Sequence, residues 1–413
     1  MVRIAVQDVT RTFSEPASGV EITAGALVPA VAPVAVAHAP SFPVGSNQVR
    51  LLRDGAVAHA AMLAAIREAK REILLEMYWI GRDHVGRRFR EALVERALAG
   101  VAVQVIYDGV GSYGLPGGFW SSLLAAGGEV REFSSLAPWR RDFRISRLRQ
   151  RDHRKNLVVD EVVAFVGGIN LGDEWAPEKG PGWRDDALEV RGEASRGVRA
   201  AFARVWDDLG GRAMAGATQA LEEEAAPTDA DAPVRVLTNR IVGRPDRAIR
   251  RVYLREIRAA RRSIALASAY FLPGPVFLLA LRQAARRGVR VRVLVPARAD
   301  VWLVTLAATS IIGRLLADGV EVHAYGGRVL HSKTAVFDER VVLVGSHNLD
   351  TLSWKFNLEC DVRVEDEAFA AYAARSFDQD CADATALSLA GWRSRPWHLR
   401  LLAWLVAFFR SFL

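Results

Sequence analysis

Apolar and polar positions along this chain repeat in two long registers that match one another. Residues 65–80 carry the spacing of an amphipathic helix and run into an apolar strand, and residues 256–272 do the same. Residues 100–108 and 288–296 each open on glycine and continue as a Val-rich strand, while residues 123–133 and 315–325 each join a helical stretch to such a strand. Helical patterns alternating with short Val/Ile/Leu strands predict α/β layering, and a succession that recurs whole predicts two copies of one domain. The expected fold class is α/β, with two pseudo-twofold-related domains, each a mixed, largely parallel sheet flanked by helices.

Composition marks the boundaries. Residues 211–233, rich in Ala, Glu and Asp with Pro227 and Pro233, read as a linker between a first domain at 46–210 and a second at 234–385. Residues 1–45 read as an extended or poorly ordered leader, because Pro29, Pro33, Pro40 and Pro43 break the apolar stretch 22–44 and no signal-peptide pattern opens the chain. Residues 386–413 interleave Trp392, Trp397, Trp404 and Phe408 with Arg393, Arg400 and Arg410. Their apolar run 401–409 falls short of the roughly 20 residues that cross a bilayer. It suits a membrane-surface segment or, equally, a terminal helix docked on the protein's own core.

Charge narrows the partners. With 55 Lys and Arg against 47 Asp and Glu, the 413-residue chain carries a formal +8, which suits an anionic partner such as a phospholipid surface or nucleic acid. A content of 51% hydrophobic and 25% charged residues excludes a mainly disordered, collagen-like or multi-span chain. Cys360 and Cys381 form neither a metal-ligand cluster nor a disulfide framework, so the default setting is reduced and cytoplasmic.

The chemistry lies in the third match. His153, Lys155 and Asp160 have the same spacing as His331, Lys333 and Asp338, and each set is followed by an apolar strand ending in glycine. Asn170 lies 17 residues after His153, and Asn348 lies 17 after His331. In a strand, residues i and i+2 share a face, so each His and its Lys point together. Asp160 and Asp338 then stand at hairpin turns, and the returning strand brings each Asn back beside the Lys. An imidazole, an ammonium and an amide in a small volume make a phosphate site, in which a neutral His can attack phosphorus. Two copies allow one imidazole to attack while the other, protonated, serves the leaving oxygen. Each His needs an orienting carboxylate, for which Asp185 and Glu359, downstream of the motifs, are the candidates. Ser346 has Gly168 as its counterpart, so the halves are not chemically equal.

A single His-x-Lys on a strand is commonly a solvated face or a structural histidine; duplication with identical offsets is what lifts these two. His38, His59, His84, His323 and His398 lack such support, and His347 stays open. No His/Cys/Asp/Glu grouping has metal-ligand spacing, so neither a metal nor another cofactor is expected.

With both motifs the sequence resembles the phospholipase D superfamily and, through stretches such as 52–55, 107–112, 167–174 and 270–273, its bacterial cardiolipin synthases. The resemblance implies catalytic roles for His153, Lys155, Asp160, His331, Lys333 and Asp338 at the interface of two phospholipase D-like domains. Asn170, Asn348, Ser346, Asp185 and Glu359 would bind the phosphate or orient the imidazoles. It further implies transfer of a phosphatidyl group from one phosphatidylglycerol to another through a phosphatidyl-histidine, with His153 taken as the nucleophile and His331 as the acid. The alternatives are a phospholipase D-type hydrolase or metal-independent nuclease using the same histidines, and a noncatalytic phosphate-binding module. The sequence looks like the short branch without N-terminal spanning helices. Attachment is then expected to be peripheral, on the cytoplasmic side of the cell membrane, with phosphatidylglycerol and an anionic membrane surface as partners and no nucleic acid. The basic run from Arg140 to Arg151 is apt for drawing in a headgroup, and the apolar residues 301–312 either line an acyl groove or form an ordinary buried helix.

Overall fold

Each sequence repeat forms one mixed sheet in the computed structural model, which describes residues 39–135, 150–211, 214, 232–240, 246–298, 302–396 and 398. The first contains β1 (Phe42–Val44), β2 (Asn47–Arg53), β3 (Glu72–Met77), β4 (Ala102–Asp108) and β5 (Glu129–Phe133), then β7 (Lys155–Val159), β8 (Val163–Gly167) and β9 (Asp186–Gly192). A two-residue β6 (Arg151–Asp152) lies outside it, and the sheet order is β1-β2-β9-β8-β7-β3-β4-β5. The second sheet contains β10 (Val234–Arg240), β11 (Asp246–Arg247), β12 (Ser263–Ser268), β13 (Arg290–Pro296) and β14 (Glu321–Tyr325). It continues with β15 (Lys333–Phe337), β16 (Val341–Gly345), β18 (Cys360–Glu365) and β19 (Ala384–Ala386), while β17 (Asn357–Leu358) stands apart. Its order is β11-β10-β18-β16-β15-β12-β13-β14-β19.

The duplicated α/β architecture is as expected, but parallel pairing is confined to β3-β4-β5 and β12-β13-β14. Every other pairing in the two sheets is antiparallel. Two of these pairings follow from the tight turns at Asp160-Glu161 and Asp338-Glu339 that join β7 to β8 and β15 to β16. A three-residue connection reverses the chain, whereas parallel neighbours need a crossover.

Period-two alternation decides which face meets what. Leu74 packs into a core shared by both halves while Ile73 and Leu75 face the outer helices, and Ala265 and Ala267 alternate with Ile264 and Leu266 in the same way. Helices Ala194–Asp208 and Glu367–Ala382 complete the shared core with Phe202, Trp206, Phe369 and Phe377. β7 and β15, which follow the two histidines, are buried along their whole length and so form rigid mounts for the site.

β1, within the expected leader, pairs with β2 as part of the first sheet; residues 1–38 lie outside the described residues. β19 crosses the expected end of the second domain, and Trp392 of the helix Leu389–Arg393 packs on Gly313, so the C-terminal segment begins docked on the protein. Residue 397, residues 399–413, the basic residues 140–149 and most of 211–233 lie outside the described residues. In the helix Trp302–Ala317, Leu306, Ala307, Ile311 and Ile312 are buried core, which favours the ordinary buried helix over a groove. No helix among the described residues is long and apolar enough to cross a membrane.

Candidate active site

Backbone bonds between the halves build the site. β6 pairs in parallel with β17, and the His153 N–H donates to the Leu358 carbonyl at 3.0 Å. In the other half the Arg184 N–H donates to Val329 at 2.8 Å, and the His331 N–H to the Arg184 carbonyl at 2.7 Å. Each histidine is thus tied to the residue immediately before the other half's carboxylate. The side chains follow: His153 Nδ1 lies 3.1 Å from Glu359 Oε2, and His331 Nδ1 lies 2.7 Å from Asp185 Oδ2. Both carboxylates are fully buried.

The halves support these carboxylates differently. Ser346 Oγ donates to Glu359 Oε2 at 2.5 Å, and Asn357 Nδ2 lies 3.3 Å from the other carboxylate oxygen. Opposite, Trp175 Nε1 donates to Asp185 Oδ2 at 2.9 Å. A Cβ on Gly168 would stand 2.2 Å from Asp185 Oδ1, so the glycine makes room for the carboxylate where the second half has a serine that bonds one.

The lysines complete the cluster. Lys155 Nζ donates to the His153 carbonyl at 2.6 Å and sits 4.9 Å from the centre of the Tyr78 ring. Lys333 Nζ donates to the His331 carbonyl and lies 2.8 Å from His331 Nδ1. Asn170 and Asn348 are buried; Asn170 Oδ1 accepts the Trp79 N–H at 3.1 Å, which leaves the NH2 as the amide's other hydrogen-bonding group.

Burial and mutual charge tune the group. Burial first, then the Lys155 and Lys333 charges and that of His331, hold His153 well below the ordinary imidazole value. His331 is also lowered, by burial and by Lys333, with Asp185 pulling against them. Burial brings Lys155 down to about 7 despite Glu359, and raises Glu359 above the ordinary carboxylate value despite His347 and Lys155. The charge of each motif's lysine acts on the other motif's histidine, so the two copies form one electrostatic unit. Neutral imidazoles whose Nδ1 faces a carboxylate carry their lone pair on Nε2, the form needed for attack on phosphorus or for taking a proton.

The two motif aspartates do not join this cluster. Asp160 accepts the backbone N–H groups of Lys70, Arg71 and Glu72 at 2.8, 2.7 and 3.0 Å. Asp338 accepts those of Arg261, Arg262 and Ser263 at 2.8, 2.7 and 2.8 Å. Each stands beyond the far end of the strand that its lysine begins, tying the hairpin to the edge of β3 or β12.

Other residues at the site were not singled out from sequence. Tyr78 meets His153 edge-on at 4.9 Å, and Tyr270 meets His331 at 6.5 Å. Their equivalent places at the ends of the repeated helix–strand segments were a usable signal. Trp175 and Trp183 wall His331 at 5.3 and 5.7 Å, and the repeat gave no notice of them. Arg184, next to Asp185, bridges Asp186 at 2.6 Å and Asp380 of the second half at 2.7 Å. Asp186 in turn accepts Ser332 at 2.6 Å and Thr334 at 2.8 Å, fixing the second motif from the first half. No group of His, Cys, Asp and Glu among the described residues could hold a metal ion.

A family model described as "Cardiolipin synthase, PLD-like domain" matches residues 62–177 and 253–381, once in each half. A cardiolipin synthase of Alkalihalophilus pseudofirmus is 32% identical over 362 residues, covering 86% of this chain and 70% of that one. Cardiolipin synthase A of Pseudomonas putida is 33% identical over 333 residues, covering 79% and 67%. Among solved structures, a phosphatidylserine synthase from Haemophilus influenzae superposes with a TM-score of 0.69 at 13% identity, covering 91% of this chain and 98% of that one, a likeness of fold.

Proposed function

The chain belongs to the phospholipase D-like cardiolipin synthase family, and from that premise we propose that it is a phosphatidyltransferase that makes cardiolipin from two molecules of phosphatidylglycerol. The observation that carries this reading is the crossed pair of dyads, His153 with Glu359 and His331 with Asp185, at a single interface.

In the first step the Nε2 lone pair of His153 forms a bond to phosphorus as the bond to the glycerol oxygen breaks. A proton from His331 Nε2 goes to that oxygen. Arrival of the anionic phosphodiester raises the proton affinity of His331, and Asp185 stabilises the imidazolium. In the second step His331 takes the proton from a hydroxyl of another phosphatidylglycerol, whose oxygen attacks phosphorus while the N–P bond breaks. Lys155, Lys333, Asn170 and Asn348 hold the phosphate oxygens through the charged transition state. Asp160 and Asp338 fix the hairpins that carry the lysines. His153 is assigned the attack and His331 the proton transfer, since His331 Nδ1 stands closer to its carboxylate, 2.7 Å against 3.1 Å, and its imidazolium is the better supported.

The chain works at the membrane surface as a peripheral protein on the cytoplasmic face, drawn by its net positive charge and its Arg/Trp-rich C-terminal segment. The test is turnover of labelled phosphatidylglycerol in mixed micelles with chelator present. Glycerol and cardiolipin should appear in equal amounts, and acid-free quenching should trap a phosphatidyl adduct on His153. An adduct on His331 would reverse the assignment, and release of phosphatidic acid alone would replace transfer by hydrolysis.

A further inference from the structure

Asp54 opens the helix Gly55–Glu68 with two local preferences overridden. Its backbone stands at φ 71° and ψ 154°, a conformation that glycine adopts freely and residues with a side chain rarely do. An Asp at a helix N-terminus ordinarily turns its carboxylate onto the first free N–H groups of the helix, yet this one makes no such bond. Both departures cost free energy, so contacts elsewhere in the fold must hold the carboxylate where it is.

Those contacts lie on the segment that carries Asp185. The Asp54 N–H donates to the Asp185 carbonyl at 2.8 Å, and the Asp185 N–H donates back to Asp54 Oδ1 at 3.4 Å. Asp54 Oδ2 accepts Arg328 Nη2 of the second half at 2.7 Å, and Arg328 Nη1 donates to the Gly182 carbonyl at 3.1 Å. Both side chains of this pair are only 10% exposed, so water screens it little. Gly55 presses on Trp175: a Cβ there would stand 2.5 Å from the Trp175 carbonyl oxygen, and Trp175 Nε1 is itself a donor to Asp185 Oδ2. Residues 182–185 are thus gripped by the backbone of Val329 and His331 on one side and by Asp54 on the other, and Arg328 joins the two grips. Arg328 stands three residues before His331, and the residue three before His153 is the uncharged Gln150.

We propose that Asp54 is a positioning residue for the His331–Asp185 dyad: with Arg328 it forms a clasp across the interface that sets where the Asp185 carboxylate meets the imidazole. The strained backbone and the forgone helix cap are what the fold accepts to place the Asp54 carboxylate there. The effect on turnover rests on the function proposed above; the effect on the dyad itself does not.

The test separates the carboxylate from the backbone. Glycine suits the conformation at position 54 and alanine does not, so Asp54→Gly should melt at a higher temperature than Asp54→Ala. Both lack the carboxylate, so in both kcat should fall about ten- to a hundredfold with little change in KM. Arg328→Gln should fall alike, with no further loss when it is combined with Asp54→Gly. A second readout needs no turnover. In protein labelled with 15N-histidine, the Nδ1 proton and nitrogen signals of His331, assigned with His331→Gln, should move upfield in Asp54→Gly as the bond to Asp185 loosens, while those of His153 stay in place. Wild-type kcat in Asp54→Gly would show that only the backbone conformation matters and would overturn the proposal. So would a His331 signal that does not move, or a shift shared equally by His153. A wild-type protein that turns over no phosphatidylglycerol removes the proposed function instead, and the His331 signals then decide the clasp.

Discussion

Glu359 reaches Nδ1 of His153 across the interface between the halves, 206 residues along the chain, at 3.1 Å. His331 and Asp185 repeat the relation in the opposite direction at 2.7 Å. Neither half contains a complete dyad, so both reacting groups are assembled only when the interface forms. Glu359→Gln and Asp185→Asn keep shape but remove the charge behind the ring. Each should lower kcat by about 10²–10⁴-fold with little change in KM. In double-mutant cycles on kcat, strong coupling is expected for His153 with Glu359 and for His331 with Asp185. Stronger coupling within each half, of His153 with Asp185, would contradict the crossed arrangement.

The serine–glycine difference between the halves makes a second prediction. Ser346→Ala removes one hydrogen bond to a buried carboxylate, worth about 1.5–3 kcal/mol, and should reduce kcat roughly ten- to a hundredfold. Gly168→Ser, which would make the halves alike in sequence, should be the more damaging change because its Cβ would stand 2.2 Å from Asp185 Oδ1. Steady-state kinetics of the two variants decide it: a Gly168→Ser enzyme more active than Ser346→Ala would show that Asp185 can move aside.

Much of this site was legible in the chain because its chemistry is local. His153 and Lys155 are two residues apart on a strand, and the spacing to Asn170 follows from a hairpin whose turn is written as Asp-Glu. What could not be read is what the interface decides. Asp185 and Glu359 stand out as acidic residues before apolar strands, but which imidazole each serves depends on two cross-domain ladders, Arg184 on Leu330 and β17 on β6. The extent of antiparallel pairing was hidden for a related reason. Glycine-opened Val-rich strands signal the parallel units β3-β4-β5 and β12-β13-β14, while strands buried on both faces, such as β7, look alike in parallel and antiparallel surroundings. Trp183 falls opposite Asn357, and Trp354 stands one residue further from Asn348 than Trp175 does from Asn170, so the repeat that exposed the motifs did not single these tryptophans out.

The depressed Lys155 predicts how anion binding follows pH. Burial brings its ammonium down to about 7, so the free site loses that charge as pH rises through neutrality. A bound phosphate restores the ammonium, and binding must then take up a proton. Affinity for dimethyl phosphate, a diester with no proton to exchange in this range, should therefore fall between about pH 7 and 9, with proton uptake seen by calorimetry in buffers of different ionisation enthalpy. Lys155→Met should bind more weakly at pH 7 and lose most of this pH dependence. Phosphate binding that is flat across the interval in the wild type would remove Lys155 from the site.

The motif aspartates predict a separation of stability from chemistry. Asp160 and Glu161 have φ of 54° and 59°, and Asp338 and Glu339 have 53° and 51°, so both hairpins turn through two left-handed residues without glycine. Such a residue costs roughly 1–2 kcal/mol when it carries a side chain, less for Asp. The Asp338 carboxylate offsets this by accepting three backbone N–H groups at the edge of β12. Burial alone would raise its pKa, but the N–H groups of Ser263, Arg261 and Arg262 and the Arg262 charge together lower it. A carboxylate lowered in the folded state contributes stability that is present above its unfolded pKa and lost as pH falls through the folded one. Asp338→Ala should therefore cost about 2 kcal/mol at neutral pH and less in acid, while the folded protein keeps kcat within about twofold. Glu339→Gly, at an exposed turn position, should instead raise stability by up to about 1 kcal/mol. Urea unfolding at pH 7 and pH 3.5, alongside kcat measured below the melting range, separates these outcomes. A large loss of kcat in a well-folded Asp338→Ala protein would return the motif aspartate to the chemistry.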